Sequence, residues 1–310
     1  MNYNHIKNTD LKISAVSLGS WVFGGEVWGE TNDDISIEVI KNAISGGINF
    51  IDTAPAYGNG RAETVIGKTL GKTRDILVAD KCGLEIDGKS IKINLTPAFI
   101  RKDLENSLKR LNRDVIDLYQ CHWPDKKTPI EETFSEMNKL QKEGKIRHVG
   151  VCNFDKNLLS SAMKISKIVS NQVHYSILNR YIEKELLEFC KNNEISILTY
   201  GSLGGGILTG KYKQVPVLEK NDVRNFFYRF YNKMFFEKTE KIIKVLNEIS
   251  EKHNGFPVET AINWARRDKI VASCIVGARN SGQIKKNISA SKWDLSEQEI
   301  NKIENACNDI

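Results

Sequence analysis

Asp52 closes the short apolar run NFIDT, Tyr57 follows five residues later just before a glycine, Lys81 ends DILVADK, and His122 sits in YQCHWPD. These side chains amount to a carboxylate, a phenol, a cation and an imidazole at the ends of successive apolar runs. An ionised carboxylate at the end of a buried strand costs several kcal/mol or more unless something pairs with it. Lys81 is the candidate partner for Asp52. An ammonium beside a phenol favours the phenolate, and the expectation for Tyr57 is a pKa lowered from about 10 toward working pH. Such a tyrosine can give a proton to a carbonyl oxygen as hydride arrives at carbon, or remove one in the reverse direction. His122 would donate the hydrogen bond that fixes the carbonyl. Singly, a strand-end Asp–Lys pair is an ordinary salt bridge and a His beside a Trp is an ordinary packing residue. Four such residues at the ends of successive units point to a catalytic set.

The elements that must position them alternate along the chain. Eight short apolar runs read as strands: AVSLGSW, NFIDT, DILVADK, VIDLYQCHW, HVGVCNF, VSNQVHY, ISILTYG and VASCIVG. Amphipathic stretches lie between them, among them DDISIEVIKNAISGG, PAFIRKDLENSLKRL and PVETAINWARRD, with Thr96-Pro97 as an N-cap and first helical residue. Strands apolar on both faces and separated by helices argue a parallel sheet covered on both sides. Eight units close naturally into an α/β fold of the (β/α)8 TIM-barrel class, a single domain over residues 1–310 with its site at the C-terminal rim of the strands. An open doubly wound sheet would need a phosphate loop after the first strand, and SLGSWVFGGEVWG does not follow G-x-G-x-x-G. A long irregular segment, about 204–231, follows the seventh strand and is a candidate functional loop.

Composition narrows the class further. Forty-five Lys and Arg against 39 Asp and Glu leave a net charge of +6, scattered over faces such as KKNISASK and NKLQKEGK. That pattern is a solvated surface rather than a nucleic-acid stripe, and a mild positive field also suits a phosphorylated cofactor. No basic start followed by a long apolar core opens the chain, and no apolar run approaches a membrane span. The six cysteines occur singly, with no C-x-x-C pair, which argues a reduced, cytoplasmic protein. Cys82, Cys121 and Cys152 lie near one rim, yet alternation turns Cys82 and Cys121 outward if Lys81 and His122 face inward. Packing is thus favoured over a metal site.

The segments GINFIDTAPAYGNGRAETVIGKTL, DKCG, DVIDLYQCHWPD, GKIRHVGVCNF, LTYGSLGGGILTGKY and VGARNSGQIKKN, in that order and spacing, resemble the aldo-keto reductase superfamily. The resemblance implies a barrel with a nicotinamide cofactor lying across its rim, reversible carbonyl reduction, and a tetrad falling on Asp52, Tyr57, Lys81 and His122. It implies that Asn153 and Gln172 hold the nicotinamide carboxamide and that Tyr200 stacks on its ring. Ser20, Trp21, Cys152, Gly201, Ser202, Leu203, Gly206 and Gly277 fall on the same cofactor surface. Lys211 and the glycine-rich turn match the pyrophosphate loop, Arg279 and Gln283 the adenosine phosphate contacts, and Asn287 the adenine position. A guanidinium at 279 favours a 2′-phosphate, hence NADPH (NADP+ when oxidised). The chain departs from the family pattern at Cys152 for serine, Gly201-Ser202 for Ser-Pro, and Lys286 for glutamate.

Trp21, Trp28, Trp123 and Phe226 or Phe227 are candidates to wall the substrate pocket, which is expected to be open because no long tail follows the last helix. The implied partner is a small carbonyl compound, with neither nucleic acid nor membrane. Two alternatives stand beside the reductase: a nicotinamide-binding regulatory or redox-sensing subunit with little turnover, and a sugar or cyclitol dehydrogenase working in the oxidative direction.

Overall fold

The computed structural model describes residues 1–88, 90–228 and 230–307. An antiparallel hairpin, β1 (Tyr3–His5) and β2 (Lys12–Ser14), comes first. The chain then runs through β3 (Val16–Gly19), β4 (Phe50–Asp52) and β5 (Leu77–Cys82) to a second hairpin, β6 (Leu84–Asp87) and β7 (Ser90–Ile93). Next come β8 (Ile116–Cys121), β9 (Ile146–Cys152), β10 (Ile168–His174), β11 (Ser196–Tyr200) and β12 (Val271–Val276). Strands β3, β4, β5, β8, β9, β10, β11 and β12 pair in parallel, each with its successor, and β12 returns to β3 to close the barrel. These are the eight strands expected from the apolar runs.

Between the strands stand α1 (Asp33–Ser45), α2 (Arg61–Leu70), α3 (Pro97–Leu111), α4 (Ile130–Lys142), α5 (Lys156–Met163) and α6 (Leu186–Asn192). They are followed by α7 (Arg224–Phe227), α8 (Lys233–Lys252), α9 (Pro257–Ala265), α10 (Ser281–Ser289) and α11 (Glu297–Ala306). Local chemistry sets several starts. The Asn32 side chain accepts from the Asp34 and Ile35 amides at the head of α1, and Asn232 accepts from Phe235 at the head of α8. Pro97 opens α3 as expected, but the Thr96 hydroxyl does not cap it; it donates to Asn94 Oδ1 at 2.7 Å. The 20-residue α8 lies where the sequence analysis placed no element. The segment expected to be irregular over 204–231 contains a 3-10 turn at Gly204–Thr209 and the short α7.

Two cores result. A large outer one joins the strand backs to the helices and includes Cys82 and Cys121, which face outward as alternation required. The inner one is small: Phe50, Ala79, Leu118, Val169, Leu198, Ala272 and Ile275 line the barrel, while Ile6, Leu11 and Ile13 of the N-terminal hairpin close its base. Asn4 Nδ2 donates to the Ala272 carbonyl at 3.0 Å, and Arg147 bridges Asp10 and Asp117 across the same end.

Behind β5 lies a group of buried carboxylates. Asp80, one residue before Lys81, is 0% exposed, and neither of its oxygens has a hydrogen-bond partner among the described residues. Glu63 of α2 is paired with Arg110 of α3 at 2.7 Å, and Asp103 of α3 accepts the Gly83 amide at 3.2 Å. Burial, with the neighbouring charges of Glu63 and Asp103 acting in the same sense, pushes the Asp80 pKa well above the usual carboxylate range. The folded state therefore holds this proton more tightly than the unfolded chain. Its stabilising contribution is complete below the ordinary aspartate pKa and is lost as pH rises through the higher folded value. Asp80→Asn is accordingly expected to stabilise the fold by about 1–3 kcal/mol at pH 8 and by less at pH 5. Urea unfolding at the two pH values checks this; an equal or negative change at both would contradict it.

Candidate active site

Three neighbouring strands each deliver an inward side chain to the rim, because side chains alternate and these residues lie two positions beyond one of the inner core. Asp52 stands above Phe50 on β4, Lys81 above Ala79 on β5, and Gln120 above Leu118 on β8. The Lys81 ammonium is saturated: Nζ donates to Asp52 Oδ1 at 2.6 Å, to the Thr53 carbonyl at 2.8 Å and to the Tyr57 hydroxyl at 3.0 Å. Asp52 Oδ2 accepts from Gln172 Nε2 at 2.7 Å and from Gln120 Nε2 at 3.4 Å. Both members of the pair are essentially sealed from solvent, Lys81 at 1% and Asp52 at 2% exposure. Burial pulls the Lys81 pKa down, but Asp52 and then Tyr57 more than offset it and the net shift is upward, so the amine is charged.

Tyr57 departs from the sequence expectation. Burial raises its pKa, Lys81 lowers it, Asp52 raises it again, and the balance is pushed up to about 12. The ammonium reduces the cost of the phenolate but does not bring it to neutral pH. His122 faces Tyr57 edge-on at 5.9 Å between ring centroids, and burial followed by the charge of Lys81 drives its pKa well below the ordinary value, so its imidazole is neutral.

Around these groups runs a closed girdle. Tyr57 stacks on Trp21 (5.9 Å, 23°), Trp21 meets Phe227 edge-on (5.7 Å), and Phe227 stacks on His174 (5.6 Å, 22°). His174 stacks on Tyr200 (5.3 Å, 22°), whose hydroxyl donates to Asn153 Oδ1 at 2.9 Å; Asn153 Nδ2 reaches the His122 carbonyl at 3.5 Å, and His122 returns to Tyr57. Trp28 packs edge-on against Trp21 at 5.3 Å. The long loop is fastened across the mouth by the Val223 amide, which donates to the Val27 carbonyl at 2.8 Å. Trp21 and, through Phe227, this crossing loop lie beside Tyr57, which is half-buried. Phe226 does not wall the site, since it is 69% exposed; its neighbour Phe227 turns inward instead. Trp123 is half-buried at the rim.

The remaining residues divide by what their side chains can reach. Gln172 is committed to Asp52 through its amide nitrogen. Ser202 is 1% exposed and its hydroxyl donates to Thr199 Oγ1 at 3.3 Å, which leaves only its backbone toward the rim. Ser20 is fully buried, with its amide donating to the Asp52 carbonyl, and Cys152 is buried close enough to feel the charges of Lys81 and Asp52. Asn287 is buried and donates to the Gly277 carbonyl, whereas Gln283 is exposed and accepts the Arg279 amide at 2.8 Å. Lys286 rests on the Phe256 ring at 3.8 Å. Arg279 is exposed and has no ion-pair partner among the described residues. Gly201 and Leu203 lead into Gly204, Gly205 and Gly206, all three at positive φ. A Cβ on Gly206 would meet Lys211 Nζ at 3.7 Å, so the bare backbone of the turn and the lysine lie side by side, backbone amides and a cation being groups that suit an anion. Gln120 went unnoticed in the sequence; period-two spacing from Leu118 is the signal that finds it. Among the described residues no three His, Cys, Asp or Glu side chains gather as metal ligands, and no helix is long and apolar enough to cross a membrane.

Comparison with known proteins identifies the family. A family model described as the aldo/keto reductase family matches residues 15–308. The chain is 35% identical to the aldo-keto reductase YhdN of Bacillus subtilis, covering 100% of this chain and 96% of the relative. It is 32% identical to an NADH-specific methylglyoxal reductase of Escherichia coli over 93% of each. A solved glycerol dehydrogenase from Gluconobacter oxydans superposes with a TM-score of 0.90 at 34% identity, covering 98% of this chain and 94% of that one.

Breaking a buried ion pair strands the other charge. Lys81→Met is therefore expected to cost about 3–5 kcal/mol of stability, and the double variant Lys81→Met/Asp52→Leu to recover most of it. A double-mutant cycle by urea denaturation measures the coupling; additive losses would mean that the pair carries no mutual energy.

Proposed function

The chain belongs to the aldo/keto reductase family, and from that premise we propose that it reduces an aldehyde or ketone to an alcohol, reversibly, with NADPH preferred over NADH. The observation that carries the proposal is the Lys81 ammonium, 3.0 Å from the Tyr57 hydroxyl and held at 2.6 Å by Asp52. When bound, the nicotinamide supplies hydride to the carbonyl carbon. Tyr57 gives its proton to the carbonyl oxygen, and Lys81 stabilises the phenolate left behind. Neutral His122 holds that oxygen by a hydrogen bond. Asn153 and Gln172 would hold the carboxamide, Tyr200 the nicotinamide face, and the 201–206 backbone with Lys211 the pyrophosphate. Arg279, exposed and without an ion-pair partner among the described residues, supports a 2′-phosphate contact.

A tyrosine protonated up to about pH 12 suits the acid role in reduction and opposes the base role in oxidation near neutrality. The expected pH profile follows from that sign: kcat/KM for aldehyde reduction shows no loss assignable to Tyr57 between pH 6 and 9, whereas alcohol oxidation climbs continuously into the alkaline range. A plateau in oxidation at neutral pH would refute it.

Tyr57→Phe should cut reduction of a simple aldehyde by about 10²-fold or more. Fluorescence titration of the same variant should still find NADPH bound more tightly than NADH. Retained turnover would reject the role of Tyr57; tighter NADH binding would reverse the cofactor preference; and an unaltered protein that binds NADPH without oxidising it would indicate a regulatory subunit.

A further inference from the structure

Gln172 and His174 lie two residues apart on β10, so both face the barrel axis, with His174 one layer above the amide that braces Asp52. The imidazole is held between Tyr200 and Phe227, with the edge of Tyr228 at 5.6 Å between centroids. Its Nε2 is buried without a hydrogen-bond partner among the described residues. An orphaned polar atom of this kind costs stability, and apolar replacements of similar shape would pack there more cheaply. Space for the ring is made by Gly201, at φ +67: a Cβ there would lie 2.6 Å from His174 Cδ2 and 2.7 Å from Nε2. The departure from serine at this position thus has a physical reason. Trp28 Nε1, also buried and unpartnered, belongs to a ring that packs on the same Tyr228 at 6.4 Å. Burial holds the His174 pKa down at about 4, so the imidazole is uncharged and can donate or accept.

We propose that His174 is a specificity-determining residue: across the girdle from Tyr57, its imidazole hydrogen-bonds a second oxygen of the substrate. The enzyme therefore favours short carbonyl compounds bearing a hydroxyl or carbonyl next to the reacting carbon. Phe227, on the crossing loop, covers one face of the ring. The inference rests on the reductase activity proposed above.

The test compares glyceraldehyde with propanal, which lacks both hydroxyls, in the unaltered protein, in His174→Phe and in His174→Gln. His174→Phe keeps an aromatic ring between Tyr200 and Phe227 but removes the hydrogen-bonding nitrogens. Whatever loss both aldehydes share, its ratio of kcat/KM for glyceraldehyde over propanal should fall about tenfold, mainly through KM. His174→Gln, which places an amide nitrogen near the position of Nε2, should restore part of that ratio. A ratio unchanged within about twofold in His174→Phe, or no recovery in His174→Gln, overturns the assignment. An unaltered protein that reduces propanal but shows no preference for glyceraldehyde overturns it while sparing the reductase activity. Failure to reduce either aldehyde removes that activity and this inference together.

Discussion

The rim is organised by one fully enclosed ammonium. Lys81 spends its three hydrogens on a carboxylate, a backbone carbonyl and a phenol, so it is at once a structural strut and a source of local field. Charge sealed this deeply is tolerable only with its partner in contact and every donor satisfied. Asp52 repeats the logic on the anionic side, its second oxygen saturated by two glutamines from β8 and β10. Four strands are in this way tied through one buried network, and Tyr57 inherits its position from it.

The eight strands and the clustering of Asp52, Tyr57, Lys81 and His122 were legible because they depend on short-range periodicity and on the expense of burying charge. The direction of the Tyr57 shift was not. Proximity of Lys81 can be guessed from strand order, but the degree of burial that outweighs it is a property of the assembled mouth, above all of Trp21 lying on the ring. Helix α8 escaped notice because the expected irregular segment masked its start, although Asn232 and the apolar positions Phe236, Ile242, Leu246 and Ile249 carry an ordinary cap and helical spacing. Ser202 and Phe226 show a different limit. Beside a turn, one residue of offset decides whether a side chain enters the wall or leaves it, and Phe226 and Phe227 cannot be told apart by type.

The aromatic girdle couples elements distant in sequence. Trp21 follows the first barrel strand, His174 and Tyr200 end the sixth and seventh, and Phe227 belongs to the long loop. Ring-to-ring contacts tolerate small sliding better than hydrogen bonds do, whereas the Lys81 network beneath them is directional. A rigid polar floor therefore lies under a more adaptable apolar collar, which separates fixation of the reacting oxygen from accommodation of whatever is attached to it.

The seam of the barrel joins Val16 to Cys274, and the basal hairpin is tied to Ala272. During synthesis, the first barrel strand and the three aliphatic residues of the floor emerge from the ribosome long before their partners exist. An unsatisfied strand edge and an uncovered apolar base persist until β12 has been made. The nascent chain is thus most prone to mispairing with other chains during that interval, and rapid packing of the intervening strands and helices is what shortens it.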